Sequence, residues 1–307
     1  MSGGSQPELS IIVTICDGGE SLRNCLLALR RQENPPTIEV IVPFDQQSLE
    51  ASDMAAEFPE FCFLDVGILG KNEPKNATEL HEFWDARRAA GIRAANGRLI
   101  GMLHDRCIPA DDWAASMISL HSEHPVAAVG GCVDNGIDTI WHWAVHFYDF
   151  ARYIAPVPTE ESDFLSVTNL CYSAKELRQF EHLYKHGFKE LPVHDAIQAA
   201  GKKMILSDRP RTTEFRPRVR TSELAMEWYH WGRKYARIRK TDLSVAQRLL
   251  RALGSPLVPF ILLFRLSEVQ RRKKVHFRRF LVASPLVFLI VSMWALGECA
   301  GYLEKQK

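Results

Sequence analysis

The chain has 307 residues, of which 46% are hydrophobic, and a formal net charge of +1. That length and apolar content exclude a disordered chain and allow one full hydrophobic core with room for a smaller appended unit. The near-neutral total hides an asymmetry: residues 1–200 carry 15 Lys and Arg against 29 Asp and Glu, and residues 201–307 carry 23 against 8. An acidic body with a basic tail points to an anionic surface at the tail, a nucleic acid or a membrane, and the neighbouring sequence has to choose between them.

The N-terminus has neither a basic nor an apolar leader segment, so no secretory signal is expected and the body is expected in the cytoplasm. Seven cysteines, Cys16, Cys25, Cys62, Cys107, Cys132, Cys171 and Cys299, lie far apart without CxxC or zinc spacing. They read as small hydrophobes of a reducing compartment. Leu9 to Ile15 is a β-branched apolar run ending at Asp17-Gly18-Gly19, and from Ser21 the leucines recur at helical spacing. Pro35-Pro36 breaks that helix. Ile38 to Val42 predicts a second strand ending near Asp45, a polar helix follows from about Ser48, and Phe61 to Val66 is a third short strand. Such alternation argues for a parallel α/β sheet with helices on both faces.

Residues 70–79 read as a polar loop, and Phe83 to Ala95 as a helix stopped by Asn96-Gly97. Leu99 to Leu103 is then a buried-strand run that stops at His104, Asp105 and Arg106, before a Pro-Ala-Asp-Asp turn opens a helix from Trp113 to about His121. Polar side chains at a strand's carboxyl end lie where open α/β sheets bind ligands; a solvated loop is the plainer alternative. Pro125 to Gly131 predicts another strand. The aromatic stretch Ile140 to Tyr153 reads as core or lid packing. Ser166 to Tyr172 predicts a strand, Lys175 to His186 a helix, Phe188 to Ala200 a loop and helix start capped by Gly201, and Met204 to Leu206 a last short strand.

From Arg209 a non-periodic basic linker with Arg211, Arg216, Arg218 and Arg220 leads into Ser222 to Arg239. There Leu224, Trp228, Trp231 and Tyr235 recur at helical spacing, and Arg233, Lys234, Arg237, Arg239 and Lys240 cluster at the end. A basic amphipathic helix suits a headgroup interface, or equally a docked helix with a solvated face. Ala252 to Phe264 spans 13 apolar residues containing Pro256 and Pro259, short of the ~20 a membrane crossing needs, and is expected to be interfacial or re-entrant. Phe280 to Leu303 spans 24 with a single acid, Glu298, and predicts a membrane helix; a helical hairpin packed on the body is the soluble alternative. Between them Arg265 to Arg279 holds seven Lys and Arg against Glu268, a segment expected to bind anionic headgroups and stay cytoplasmic. The expected division is therefore residues 1–208, a basic linker with an amphipathic helix over 209–248, and membrane-associated segments over 249–307.

Four blocks in this order carry a resemblance. SIIVTICD (Ser10 to Asp17) with IEVIVPFD (Ile38 to Asp45), ARRAAGIRAANGRLIGMLHDRCIPADDW (Ala86 to Trp113), TNLCYSAKEL (Thr168 to Leu177) and FKELPVHDAIQAAGKKMIL (Phe188 to Leu206) resemble the inverting glycosyltransferases of family 2. The tail containing GECAGYL (Gly297 to Leu303) is similar to the membrane-associated ends of bacterial members. The resemblance implies a GT-A fold, a mixed and mostly parallel sheet with helices on both faces, here followed by C-terminal membrane-associated helices. It implies a nucleotide-sugar donor, with Asp17 and Asp45 along the nucleotide and Arg88, His104, Asp105 and Arg106 near the diphosphate. A divalent cation, Mg²⁺ or Mn²⁺, is implied on Asp105 with His104, although the family's flanking aspartates are here His104 and Arg106. The catalytic base falls to Asp195, with Glu190 and His194 close behind. The expected acceptor is a lipid-linked or envelope glycan at the cytoplasmic face of the inner membrane, with an anionic membrane surface and no nucleic acid as partner. Two other classes stay open: a catalytically weakened nucleotide-sugar or glycan-binding scaffold, and a nucleotidyltransferase, against which the lack of a glycine-rich phosphate loop counts.

Overall fold

The computed structural model of the chain describes residues 6–33, 37–70, 74, 77–216, 221–239 and 243–304. Pro35, Pro36, Arg218, Arg220, Lys240 and part of the loop expected over 70–79 lie outside the described residues. Two compact units form: one from residues 1–74, 80–134 and 153–215, the other from 75–79, 135–152 and 216–307.

In the first unit β1 (Leu9–Thr14), β2 (Ile38–Phe44), β3 (Cys62–Asp65) and β4 (Leu99–His104) run parallel, in the order β3-β2-β1-β4. Beyond β4 the sheet turns antiparallel through β8 (Asn169–Ser173) and continues with β6 (Ala128–Asn135), β9 (Met204–Glu214) and β5 (Cys107–Pro109), while β7 (Glu160–Glu161) pairs with β9. Period-two alternation sorts β1 between two faces. Leu9, Ile11 and Val13 pack with Leu22 and Leu26 of α1 (Gly19–Arg30) and with Trp113 and Met117 of α3 (Trp113–Glu123). Ile12 faces α2 (Ala77–Ala94), where Gly91 comes so close that a Cβ there would lie 2.7 Å from Ile12 and 3.0 Å from Pro43. Helices therefore cover both faces of the mixed sheet. Asn169 ties its middle together: Trp113 Nε1 donates to its Oδ1 at 2.8 Å, and its Nδ2 donates to the carbonyls of Cys132 and Pro210.

Several elements depart from the sequence expectation. The polar segment after Ser48 winds as 3₁₀ turns over Leu49–Ala56. α2 begins six residues early, at Ala77, because polar residues form its first turns. The helix expected over Lys175 to His186 shortens to α5 (Ala174–Arg178) and a single 3₁₀ turn, as Tyr184 and Phe188 turn into the core and meet at a tilt, with ring centroids 5.8 Å apart. β9 runs on to Glu214 where a basic linker was expected. Pro210, Thr212 and Glu214 face inward while Arg209 and Arg211 face solvent, a period-two pattern that polar residues disguise. α6 (Glu190–Ala199) ends at Gly201, whose φ of +70° favours glycine.

In the second unit α4 (Ile140–Phe150), α7 (Thr221–Arg239) and α9 (Val258–Lys273) pack around α10 (Phe277–Leu303). The aromatic stretch is this packing: Trp143 and Phe147 lie on α4, and Phe147 meets Phe280 edge-on at 5.3 Å. The segment judged too short to cross a membrane belongs to a longer helical run. α8 (Val245–Gly254), one 3₁₀ turn and α9 together span 29 residues, and α10 spans 27; both are long and apolar enough to cross by length and composition. Pro256 and Pro259 do not stop the run because each falls in the first turn of its segment, where no amide hydrogen is needed.

Candidate active site

β2 lies on one side of β1 and β4 on the other, so the chain leaves β1 in opposite directions and a crevice opens beyond the carboxyl ends of these strands. Asp17 arrives there from β1, and His104, Asp105 and Arg106 from β4. Asp105 is fully buried, and its Oδ2 accepts from the backbone N–H of Asp17 at 3.0 Å and of Gly18 at 2.7 Å. Gly18 has φ +70°, a conformation that suits a residue without Cβ. Burial pushes the Asp105 carboxyl up to about 6, against the opposing pull of these amides. Asp105 thereby clips the loop after β1 to the turn after β4.

Around this clip stand three arginines. Arg106 grips Asp17 through two parallel bonds, Nε to Oδ2 and Nη2 to Oδ1, each 2.7 Å, and its guanidinium lies 5.6 Å from the Trp84 ring centroid. Arg88 donates from Nη1 to Asp85 Oδ1 at 2.8 Å, and its Nη2 is 2.9 Å from His104 Nε2. Because arginine has no acceptor, His104 Nε2 must accept, which spends its lone pair. Asp45, also fully buried, is held by the neighbouring Arg87, with Nη2 2.7 Å from Oδ1 and Nε 3.1 Å from Oδ2; Arg87 Nη1 also donates to the Ile15 carbonyl at 2.7 Å. Arg87, Trp84 and Asp85 escaped the sequence reading. The available signal was that a buried carboxylate ending β2 requires a countercharge, which the Arg87-Arg88 pair supplies.

The three base candidates occupy different environments. Burial raises the pKa of Glu190, while the positive charge of Arg88 and the backbone N–H groups of Glu190 itself and of Val167 oppose the rise, so its carboxylate shares the electrostatic neighbourhood of Arg88. His194 lies in the core, fully buried, 2.6 Å from the Tyr172 hydroxyl and edge-on to Phe164, and burial pulls its pKa down to about 4. Asp195 is exposed. Helix geometry explains the split: four residues from Glu190 bring His194 back to nearly the same face, whereas five carry Asp195 about 140° round.

The oxygen donors that a hard cation requires are not assembled here. Asp105 has Oδ2 on backbone amides and keeps only Oδ1, buried and without a partner among the described residues. Both oxygens of Asp17 are on Arg106, the Nε2 lone pair of His104 is on Arg88, and Arg106 cannot ligate. Among the described residues no group of three His, Cys, Asp or Glu is placed to hold a metal. The residues present therefore do not fit the cation site on Asp105 with His104 that the resemblance implies: His104 Nε2 is taken by Arg88 and one buried Asp105 oxygen remains.

The sequence model described as "Glycosyl transferase family 2" matches residues 10–173. A curated relative, "Glycosyltransferase AglE" of Haloferax volcanii, is 24% identical over 128 residues, covering 42% of this chain and 40% of that protein, so the match spans less than half of the relative's length. Among solved structures, S. aureus TarS 1–349 in complex with UDP-GlcNAc superposes with a TM-score of 0.51 at 12% identity, covering 95% of this chain and 90% of that one. That likeness is one of fold.

Proposed function

The chain belongs to glycosyl transferase family 2, and from that membership we propose that it moves a sugar from a nucleoside-diphosphate sugar to an acceptor hydroxyl, with inversion at the anomeric carbon. The observation that carries the reading is the crevice at the β1–β4 strand ends, where Asp17, Arg88, His104 and Arg106 meet around the Asp105 clip. That UDP-GlcNAc is bound by the similarly folded TarS supports a donor of this class. Of the three base candidates, Glu190 suits the task best. Its carboxyl has a raised pKa beside Arg88, whereas His194 is engaged with Tyr172 and Asp195 faces solvent.

In the proposed reaction the acceptor hydroxyl gives its proton to Glu190 as its oxygen attacks the anomeric carbon. The bond from that carbon to the diphosphate breaks, and the nucleoside diphosphate leaves with the electron pair. The two long apolar helices and the basic segment between them support a membrane-associated enzyme acting on a lipid-linked or envelope glycan at the cytoplasmic face.

The test is a transfer and donor-hydrolysis screen over UDP-, GDP- and dTDP-sugars with wild type, Glu190→Gln and Asp195→Asn. Glu190→Gln should lower turnover about a hundredfold to ten-thousandfold with donor affinity kept, and Asp195→Asn should leave turnover nearly unchanged. The reverse ranking would return the base to Asp195. Nucleotide binding without turnover on any donor would favour the binding scaffold instead.

A further inference from the structure

We infer that guanidinium groups, Arg106 together with Arg88, hold the donor's diphosphate where the resemblance implies a divalent cation, so that nucleotide binding by this chain is independent of metal. The inference rests on the nucleotide-sugar reading above and concerns the same crevice.

Two observations carry it. Among the described residues the side chains that could serve as cation ligands at the β1–β4 junction are largely committed: Asp105 Oδ2 to the amides of Asp17 and Gly18, Asp17 to Arg106, and His104 Nε2 to Arg88. That leaves Asp105 Oδ1, buried and without a partner, as a single oxygen where a hard cation needs several. A divalent cation entering here would also meet two guanidinium groups. An anion meets the opposite situation. Arg106 follows Asp105 directly, and its side chain is 16% exposed and held in orientation by Asp17 and the Trp84 ring. Nε and Nη2 face Asp17, which leaves the Nη1 edge for a phosphate oxygen. On Arg88, Nε is buried without a partner among the described residues, so this guanidinium keeps unused donor capacity as well.

The chemistry of the leaving group favours such an arrangement. As the anomeric bond breaks, charge builds on the diphosphate, and preorganised donors stabilise it without moving a proton. A guanidinium is planar, stays protonated at any working pH and matches paired phosphate oxygens. Arg106 competes for two partners, Asp17 and the diphosphate. Asp17 therefore acts as a positioning residue that aims the guanidinium and yields part of it when donor enters.

The decisive measurement is calorimetric titration of the full-length chain with UDP and with UDP-GlcNAc, in EDTA and again in Mn²⁺ or Mg²⁺, with GDP and dTDP as parallel probes. Affinity in EDTA should lie within about threefold of that with metal. Arg106→Ala should weaken nucleotide binding about tenfold or more in either condition, with partial recovery in Arg106→Lys. Binding that appears or tightens tenfold only with metal would overturn the inference and leave the glycosyltransferase reading standing, as would an Arg106→Ala chain that binds like wild type. The wild-type comparison does not depend on how well the variant folds. If no nucleotide binds in any condition, it is the nucleotide-sugar reading that falls.

Discussion

Asp105, the carboxylate on which a metal-binding expectation falls, is fully buried in the crevice, and that changes what its substitution should do. Its folded pKa of about 6 lies above its ordinary 3.8. The folded chain therefore holds a proton on Asp105 more readily than the unfolded chain does, and this contribution to stability, complete below about pH 4, is lost as pH rises through 6. His194 works the other way, because its pKa of about 4 lies below the ordinary 6.5. Its contribution is complete above pH 6.5 and is lost as pH falls through 4, and His121, pulled down to about 4 by burial, behaves alike. In denaturant titrations across pH 4 to 7, Asp105→Asn should gain on wild type as pH rises, at about 1.4 kcal/mol per unit of pKa difference at most. His194→Gln, which keeps an acceptor for Tyr172, should lose less stability than wild type on acidification. Parallel stability curves for wild type and Asp105→Asn would show that Asp105 does not titrate differently in the two states.

Among the elements, the pairing of α7 with α10 depends on glycine. Gly297 and Gly301, one turn apart on α10, face Gly232 and Ala236 on α7, and a Cβ at Gly232 or Gly297 would collide with the backbone carbonyl of Trp294 or Tyr229 respectively. Arg233 and Arg237 close the pair by binding Glu304. Gly297→Leu should therefore force the helices apart and lower the melting temperature of the detergent-solubilised chain by several degrees. Gly254→Ala, where nothing lies within 4 Å of the added Cβ, should leave it unchanged. Equal melting temperatures for the two variants would mean that the close approach contributes nothing. The sequence made this helix legible as amphipathic without showing what its small residues touch, since a partner 65 residues away leaves no local periodicity. The same distinction runs through the catalytic unit. β1, β2 and β4 were legible because each apolar run ends on a polar residue, and Asp17, Asp45 and Asp105 stand near those ends. Which of two adjacent arginines reaches Asp45 was not legible, because consecutive helix positions differ by only 100° and the choice falls to Arg87 through the Ile15 carbonyl. Nor was the facing of Glu190 against Asp195, which depends on where α6 begins.

At the scale of the whole molecule, the charge asymmetry and the two apolar runs point toward a lipid surface. Leu253, Leu257, Phe260, Ile261 and Phe264 are exposed along the run from α8 to α9, at spacings that place them on one side. A one-sided stripe is the pattern of a helix lying in the interface, even though the run is long enough to cross. α9 ends in Arg271, Arg272 and Lys273, with Lys274 in the left-handed conformation that turns the chain into α10. These four side chains would sit at headgroup level if α10 enters the bilayer, where each basic residue contributes about 1 kcal/mol toward an anionic surface. Flotation with vesicles should therefore show two separable components. The full-length chain should float with vesicles containing anionic lipid and stay with them in high salt, because burial of the apolar helices is not screened. Changing Arg271, Arg272, Lys273 and Lys274 to Gln should reduce initial capture on anionic vesicles at least tenfold and leave capture on neutral vesicles as it was. A wild-type chain that stays soluble without detergent and never floats would replace this picture with a helical unit closed upon itself in water, and the acceptor would then have to be sought among soluble glycans.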